Sequence, residues 1–223
     1  MATNNNKKEE IGLDTELIKS GAFIEKHLKK IVIALIAVIV VVIGFFIYNN
    51  HMEGVEKEAQ EAISKCQTSF YQQQYEVSLN GDSLKTFKGM LDIIKDYPGT
   101  KTANIAKVYA GLCYYNMGEY DKAINMLEDY DVQDDKSISL SVTAALGDCY
   151  IHKGNNEKGI EKLMEAANDA DNVLSALFMF KAAKVYESMN QKEKALELYK
   201  NIKSKYPESS VATNIDKYIE RVN

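Results

Sequence analysis

The longest apolar stretch of the chain is IVIALIAVIVVVIGFFIY, which occupies residues 31–48 and contains no charged residue. As a helix that rises about 1.5 Å per residue, it would extend about 27 Å, close to the hydrocarbon thickness of a bilayer. A soluble core helix is this apolar only inside a large protein, and no small-residue cleavage site of a signal peptide follows the stretch. The pattern therefore predicts an uncleaved transmembrane anchor at 31–48.

Charge differs on the two sides of this stretch. Three lysines lie in the five residues before it, whereas three glutamates and one lysine lie in the ten residues after it. By the positive-inside rule, residues 1–30 face the cytoplasm and the rest of the chain lies outside it, in the periplasm of a bacterium. The sequence thus predicts a single-pass protein of the bacterial inner membrane.

Residues 1–30 carry two patterns. The first ten residues have no apolar periodicity, which predicts that this segment is partly disordered. Between Leu17 and Leu28, apolar residues recur at roughly helical spacing with lysines between them. That part forms either an amphipathic helix on the inner membrane surface or an extension of the anchor helix.

Two helices are predicted between the anchor and the repeats. Residues 49–82 have one apolar side and end at the turn signal NGD at 80–82, which predicts a long linking helix. A second helix is predicted from Ser83 to Tyr97, before Pro98. Apolar residues spaced by three or four predict its buried face: Leu84, Phe87, Leu91 and Ile94.

A motif recurs from residue 111 onward. The segment GLCYYNMGEYDKA at 111–123 returns 36 residues later as GDCYIHKGNNEKG at 147–159, and a third copy aligns at residue 183. A fixed period of this length indicates stacked helical hairpins. With only two prolines in the chain, the pattern predicts an all-α fold.

These segments resemble the tetratricopeptide repeat, which has small residues and an aromatic at fixed positions, a turn glycine and a closing proline. The matching positions are Gly111, Tyr114, Gly118 and Ala123 in the first unit, Gly147, Tyr150, Gly154 and Gly159 in the second, and Ala183, Tyr186, Ala195 and Pro207 in the third. The resemblance implies an α-solenoid of about three to four hairpins at 83–208. The amphipathic end of the chain, 209–223, looks like its capping helix.

Packing explains why these residue types recur. Two helices approach closely only where one presents Gly or Ala, and the aromatic fills the space beside that contact. Gly159 replaces the usual alanine at a helix-propensity cost of about 1 kcal/mol. Cys113 and Cys149 share one repeat position, which predicts small buried thiols too far apart to pair, while Cys66 on the linking helix is a free thiol.

Composition and motifs give no sign of catalysis. The net charge is -5, and acids and bases are spread along the chain, so a basic surface for nucleic acid is missing. His27, His51 and His152 lie in separate segments without metal-ligand spacing, and no phosphate loop or nucleophile motif occurs. We predict a non-enzymatic protein with no cofactor, metal or small-molecule substrate, and therefore a protein that binds other proteins.

The repeat family implies where such binding occurs, because the first helices of successive hairpins line its concave groove. The groove positions carried over from the family are Ile105, Val108, Leu112 and Tyr115, then Ser141, Ala144, Asp148 and Ile151, then Leu177, Phe180, Lys184 and Glu187. The asparagine clamp that grips C-terminal carboxylates in one subclass is absent. In the alternative interpretation, the helix at 55–79 covers Val108 and Leu112 and leaves no open groove there.

The order of cytoplasmic segment, anchor, long helix and repeats resembles the YfgM-like ancillary proteins of the Sec translocon, particularly their forms in Bacteroidetes. The stretch from Ser78 to Ile124 carries most of this resemblance. It implies an adaptor that associates with the translocon and with periplasmic chaperones. Two alternatives stay open, a chaperone that holds unfolded clients itself and an assembly factor for another envelope complex.

Overall fold

The computed structural model describes residues 4–84, 86–132, 136–170 and 172–223, with side chains from His27 onward except Ile31 and Lys136. The described residues form α-helices and one 3-10 turn, without a strand, so the all-helical class is confirmed. The helices are α1 (Asn4–Tyr71), α2 (Tyr75–Asn80), α3 (Met90–Asp96), α4 (Lys101–Asn116), α5 (Tyr120–Glu128), α6 (Lys136–His152), α7 (Asn156–Ala170), α8 (Val173–Ser188), α9 (Lys192–Lys205) and α10 (Ile215–Val222).

The chain divides into two compact units, Met1–Gly54 and Val55–Asn223. In the first unit α1 begins at Asn4, where disorder was predicted, and the side chains that would define an amphipathic helix lie mostly outside the described residues. Among the described residues, one helical stretch, the part of α1 from His27 to Tyr71, is long and apolar enough to cross a membrane. Its most apolar 18-residue window has a mean hydropathy of 3.3, and none of that window is buried. Length and composition alone support this candidate span, and a signal sequence passes the same test.

The second unit buries three successive clusters of apolar side chains. The first lies between the end of α1 and helices α2 to α4, and it includes Ile63, Met90 and Cys113. The second joins α4, α5 and α6, and the third continues from α6 to α10. Each hairpin therefore shares its core with its neighbours, as a stack of repeats requires.

The linking segment differs from its prediction in two places. The long helix ends at Tyr71 instead of at the turn signal 80–82, and Gln73 then takes a positive φ of 60° before the short helix α2. The helix predicted from Ser83 begins only at Met90, because the Asp82 carboxylate accepts hydrogen bonds from Thr86 and Phe87 and holds this stretch as a loop. Leu84, predicted to be buried, is consequently 82% exposed.

Close contact within the second hairpin occurs between two glycines. A Cβ atom added at Gly147 would lie 2.9 Å from the carbonyl oxygen of Gly159, and one added at Gly159 would lie 2.9 Å from that of Gly147. A side chain at Gly159 would also collide with Cγ1 of Ile151. The first hairpin makes a similar contact between Gly111 and Leu127, with a Cβ position 2.7 Å from Leu127 Cγ. The helices thus pack backbone to backbone at Gly147 and Gly159, and backbone to side chain at Gly111.

The other small repeat positions are buried in the hairpins or lie in the turns between helices. Ala123, Ala183 and Ala195 are fully buried, and Gly118 and Gly154 have φ values of 80° and 82° in the turns between helices. Pro207 follows the end of α9 by two residues.

A lysine packs over each repeat tyrosine. The ammonium of Lys158 lies 4.0 Å from the centre of the Tyr150 ring, and the same pair recurs in the other hairpins as Lys122 with Tyr114 at 5.3 Å and Lys194 with Tyr186 at 5.2 Å. In each case the lysine follows the tyrosine by eight residues, from the second helix of the hairpin. These cation–π contacts join the two helices at the surface.

All three cysteines are buried and free, which confirms the prediction for Cys113 and Cys149. The thiol of Cys66 donates to the carbonyl oxygen of Lys88 at 2.7 Å and so ties α1 to the loop before α3. Burial raises the pKa of Cys66 to about 11 and that of Cys149 to about 11.

Glu56 connects α1 to the beginning of α4. Its carboxylate accepts hydrogen bonds from the backbone N–H of Lys101 at 2.8 Å and from the Thr102 hydroxyl at 2.6 Å. Partial burial would raise the pKa of Glu56, but the hydrogen bonds from Thr102, Gln60 and the backbone outweigh it and lower the pKa below its usual value. The carboxylate also lies where the positive end of the α4 dipole favours an anion.

We expect Gly159→Ala to destabilise the protein, although alanine is the better helix former by about 1 kcal/mol. Forcing a methyl group against Ile151 and the Gly147 carbonyl costs about 1–3 kcal/mol, which would lower Tm by several degrees in thermal denaturation followed by circular dichroism. The control is Gly54→Ala, because nothing lies within 4 Å of that Cβ position. In an Ile151→Ala background the penalty should shrink; equal effects of the two glycine substitutions would contradict this packing.

We expect Glu56→Gln to lower the free energy of unfolding at pH 7 by about 1 kcal/mol, since the charge-assisted bonds are partly solvated. The folded-state pKa of Glu56 is lowered, so its contribution is complete above the unfolded pKa of about 4.3 and is lost as pH falls through the folded value. Denaturant unfolding should therefore show a larger difference between the two proteins at pH 7 than at pH 3, because the contribution decreases as pH falls below the unfolded pKa. Glu58→Gln, an exposed change on the same helix, is the control, and a pH-independent effect at Glu56 would show that its charge is not what stabilises the contact.

Candidate functional site

The first helices of the three hairpins, α4, α6 and α8, form one face of the second unit, here called the groove. Adjacent helices are joined across it by the Tyr115–His152 hydrogen bond of 3.1 Å and by an ion pair of 2.6 Å between Asp148 and Lys181. The groove can therefore be followed from α4 to α8 through described side chains.

Its beginning is apolar. Ile105, Val108 and Leu112 are half-buried along α4 and line an open cavity of about 390 Å³, here called the apolar pocket. Its remaining lining comes from the end of α1, from α4 and from the first turns of α6: Phe70, Tyr71, Tyr109, Ser137, Ile138 and Ser141. The helix at the start of this unit therefore borders Val108 and Leu112 without enclosing them, so the alternative of a covered groove does not hold here.

The wall contributed by α1 is held by aromatic contacts. The Phe70 ring packs edge to face on Tyr109 with centroids 5.2 Å apart, and the hydroxyls of Tyr71 and Tyr109 are 3.1 Å apart. Burial, followed by the bond to Tyr71, raises the pKa of Tyr109 to about 12. The Tyr71 side chain itself is 71% exposed, so it forms the outer edge of the pocket.

Beyond Leu112 the groove becomes polar and aromatic. Tyr115 packs edge to face with Tyr120, and the Tyr120 ring stacks on His152 with centroids 4.9 Å apart and planes 10° apart. Burial raises the pKa of Tyr115, and the nearby Asp148 carboxylate adds to this. Tyr115 thus joins the first two hairpins, and its ring is already engaged with two neighbours.

Helix α10 contacts three of the four groove positions of the third hairpin. Phe180 packs edge to face on Tyr218 with centroids 4.8 Å apart, and Lys184 lies 5.8 Å from the same ring. Glu187 pairs with Arg221 at 2.6 Å. All three were predicted as groove contacts; the capping helix engages Phe180 and Glu187 directly, whereas Lys184 stays exposed beside the Tyr218 ring.

Two further predicted groove positions are directed into the core. Ala144 is only 4% exposed and belongs to the cluster between α6 and α10. Ile151 packs against Gly159 inside its own hairpin. Both predictions are corrected, because a position equivalent along the repeat does not fix the size or direction of its side chain. Ser141 and Leu177 remain exposed.

Sequence reasoning missed the α1 wall and the aromatic cluster. The linking helix was predicted to have one apolar side, but Tyr71 and Tyr109 gave no repeat signal because neither returns at the period of 36 residues. The stacking of Tyr120 on His152 joins two successive hairpins, and no sequence pattern near either residue predicts it. Nothing in the spacing of apolar residues indicated that α1 would end beside Tyr109.

The described residues of the groove offer surface for non-covalent binding. Among the described residues, no group of three or more His, Cys, Asp and Glu side chains is placed to hold a metal ion. The apolar pocket offers aliphatic and aromatic surface with hydroxyl groups at its edge, and the middle of the groove offers an ion pair with side chains 23% and 38% exposed. Such a surface suits binding of another polypeptide.

The comparison with protein families agrees with this geometry. No curated protein matches the chain. A family model described as a tetratricopeptide repeat-like domain matches residues 22–212, which is most of the chain and includes all three hairpins. Domains of this kind are generally non-catalytic repeat scaffolds that mediate protein interactions. The chain belongs to the tetratricopeptide repeat-like family.

Proposed function

We propose that this protein is a membrane-anchored adaptor that binds a protein partner through the first two hairpins of its groove. The observation that carries the proposal is the apolar pocket beside Leu112, which stays open, whereas Phe180 of the third hairpin is packed against Tyr218 of α10. Because Ile105, Val108 and Leu112 are only half-buried, a partner that covers them would gain hydrophobic stabilisation.

The proposed location is the bacterial inner membrane, with the anchor at 31–48, the N-terminus in the cytoplasm and the repeats in the periplasm. The charge asymmetry around the apolar stretch and the candidate span support this orientation. The exported part carries more acids than bases, so charge would not draw it to anionic lipid. Its repeats would be free to engage proteins.

The proposed partners are the Sec translocon and periplasmic chaperones. Support comes from the resemblance of the segment 78–124 to YfgM-like ancillary proteins and from the family match. A chaperone that holds unfolded clients is the second candidate, because the described lining of the apolar pocket carries no charge and would tolerate many apolar sequences.

The orientation can be tested with reporter fusions. Alkaline phosphatase, which is active only outside the cytoplasm, should be active when fused after Asn223 and inactive when fused after Lys30. Green fluorescent protein should give the opposite pattern. Activity of the fusion after Lys30 would overturn the proposed topology.

The partner can be tested by photocrosslinking in native membranes. A benzophenone amino acid in place of Leu112 should capture a translocon or chaperone component, identified by mass spectrometry. The matched control replaces Glu161, an exposed residue of α7 outside the groove. Equal capture from both positions, or recovery of neither component, would count against the adaptor.

A separate assay distinguishes the second candidate. The full chain in lipid nanodiscs should leave the aggregation rate of an unfolded outer-membrane protein unchanged if it acts only as an adaptor. A slower rate that depends on Leu112 would favour direct holding of clients.

A further inference from the structure

The apolar pocket is built by two separate parts of the chain. Val108 and Leu112 supply its floor from the first hairpin, and Phe70 and Tyr71 supply one wall from the last turn of α1. The first turns of α6 complete the lining through Ser137, Ile138 and Ser141. A repeat array alone would lack the first wall, so the occupant of this pocket must also contact α1.

The lining determines the charge of the occupant. None of the nine described residues around the pocket is charged, although 26% of the chain is. A charged group placed against these residues would exchange part of its hydration for apolar and hydroxyl surface, which is unfavourable. The volume of about 390 Å³ lies at the lower end of the range of about 300–1,000 Å³ typical of ligand sites. The pocket therefore fits a small number of bulky, uncharged side chains.

Hydroxyl groups at the edge favour a peptide over a hydrocarbon chain. The Ser141 hydroxyl donates to the Ser137 carbonyl oxygen at 2.9 Å, which leaves its oxygen able to accept a peptide N–H. In the pair formed by Tyr71 and Tyr109 only one hydroxyl donates to the other, so the second hydroxyl hydrogen can bind a peptide carbonyl. A lipid acyl chain has neither group and would leave these edges unused.

We propose that the apolar pocket binds an uncharged segment of a polypeptide through one or two adjacent bulky apolar side chains, and that Tyr71 is a specificity-determining residue of this site. The inference rests on the proposed function as a protein binder and adds the chemistry of the bound segment. Tyr71 acts as a wall for the apolar side chain and, with Tyr109, as a hydrogen-bonding edge for the peptide backbone.

Fluorescence anisotropy with the full chain in lipid nanodiscs tests the inference. The probe is a fluorescein-labelled peptide GSNGSLFSGNSG, and the matched peptide replaces Leu-Phe by Ser-Ser; empty nanodiscs give the background. Each buried apolar side chain contributes about 1.5–3 kcal/mol, so the first peptide should bind at least about tenfold more tightly. Equal affinities of the two peptides would overturn the proposal.

Variants locate the binding in the pocket. Leu112→Asp places a carboxylate on the floor and should weaken binding of the Leu-Phe peptide by at least about tenfold. Leu84→Asp is the matched control, since Leu84 is 82% exposed in the loop before α3 and outside the groove. Tyr71→Ser should also weaken binding, and because Tyr71 is exposed the loss would not come from unfolding. Circular dichroism of each variant checks folding, and unchanged binding by both pocket variants would overturn the site.

Binding of palmitate and the crosslink at residue 112 complete the test. If palmitate binds at Leu112 and the peptide does not, the pocket takes an acyl chain and the peptide proposal is wrong. If the peptide does not bind while the crosslink at residue 112 still captures the translocon, the adaptor function is supported and the proposed peptide site is wrong. If the peptide binds and its affinity depends on Leu-Phe, Leu112 and Tyr71, but no translocon or chaperone component is captured, the peptide site is supported and the proposed partners are wrong.

Discussion

Close approach of two helices at a small residue is the constraint on which the packing of the hairpins depends. At Gly147 and Gly159 the two backbones approach so closely that each glycine faces the carbonyl oxygen of the other. This distance brings Lys158 over the Tyr150 ring and lets neighbouring helices share buried clusters. Because the spacing repeats, α4, α6 and α8 lie on one face, and the groove follows from the packing.

Periodic features of the fold were predictable from sequence, and features that occur once were not. The 36-residue period predicted the hairpins, since every copy repeats a small residue, Gly or Ala, and a tyrosine three residues later. The loop after α2 depends on one carboxylate, Asp82, whose hydrogen bonds to Thr86 and Phe87 override an apolar spacing that favours helix. No periodic pattern carries that information. The pocket floor was predicted at Val108 and Leu112 by family register, whereas its wall at Tyr71 depends on where α1 ends.

The three hairpins are alike in packing but differ in what they expose. The first leaves Leu112 half-buried and open, and the second presents the Asp148–Lys181 ion pair. In the third, Tyr218 from α10 packs on Phe180, where it covers apolar surface that the end of a repeat stack would otherwise leave in water. Repeat register therefore identifies candidate positions, and the neighbouring element decides whether each one is available to a partner.

The apolar pocket is available because α1 is held against α4 at two points and stops there. Glu56 binds the first turn of α4 at Lys101, and Phe70 packs on Tyr109, about 12 Å further along α4 at about 1.5 Å per residue. Two attachments at this separation fix both the position and the direction of the part of α1 that belongs to the second unit, 55–71, so its last turn forms one wall of the pocket. A bound segment would then contact α1 and the first hairpin together. Binding in the pocket therefore depends on the packing of α1 against α4. A substitution that weakens the hydrogen bonds of Glu56 should also weaken peptide binding at Tyr71.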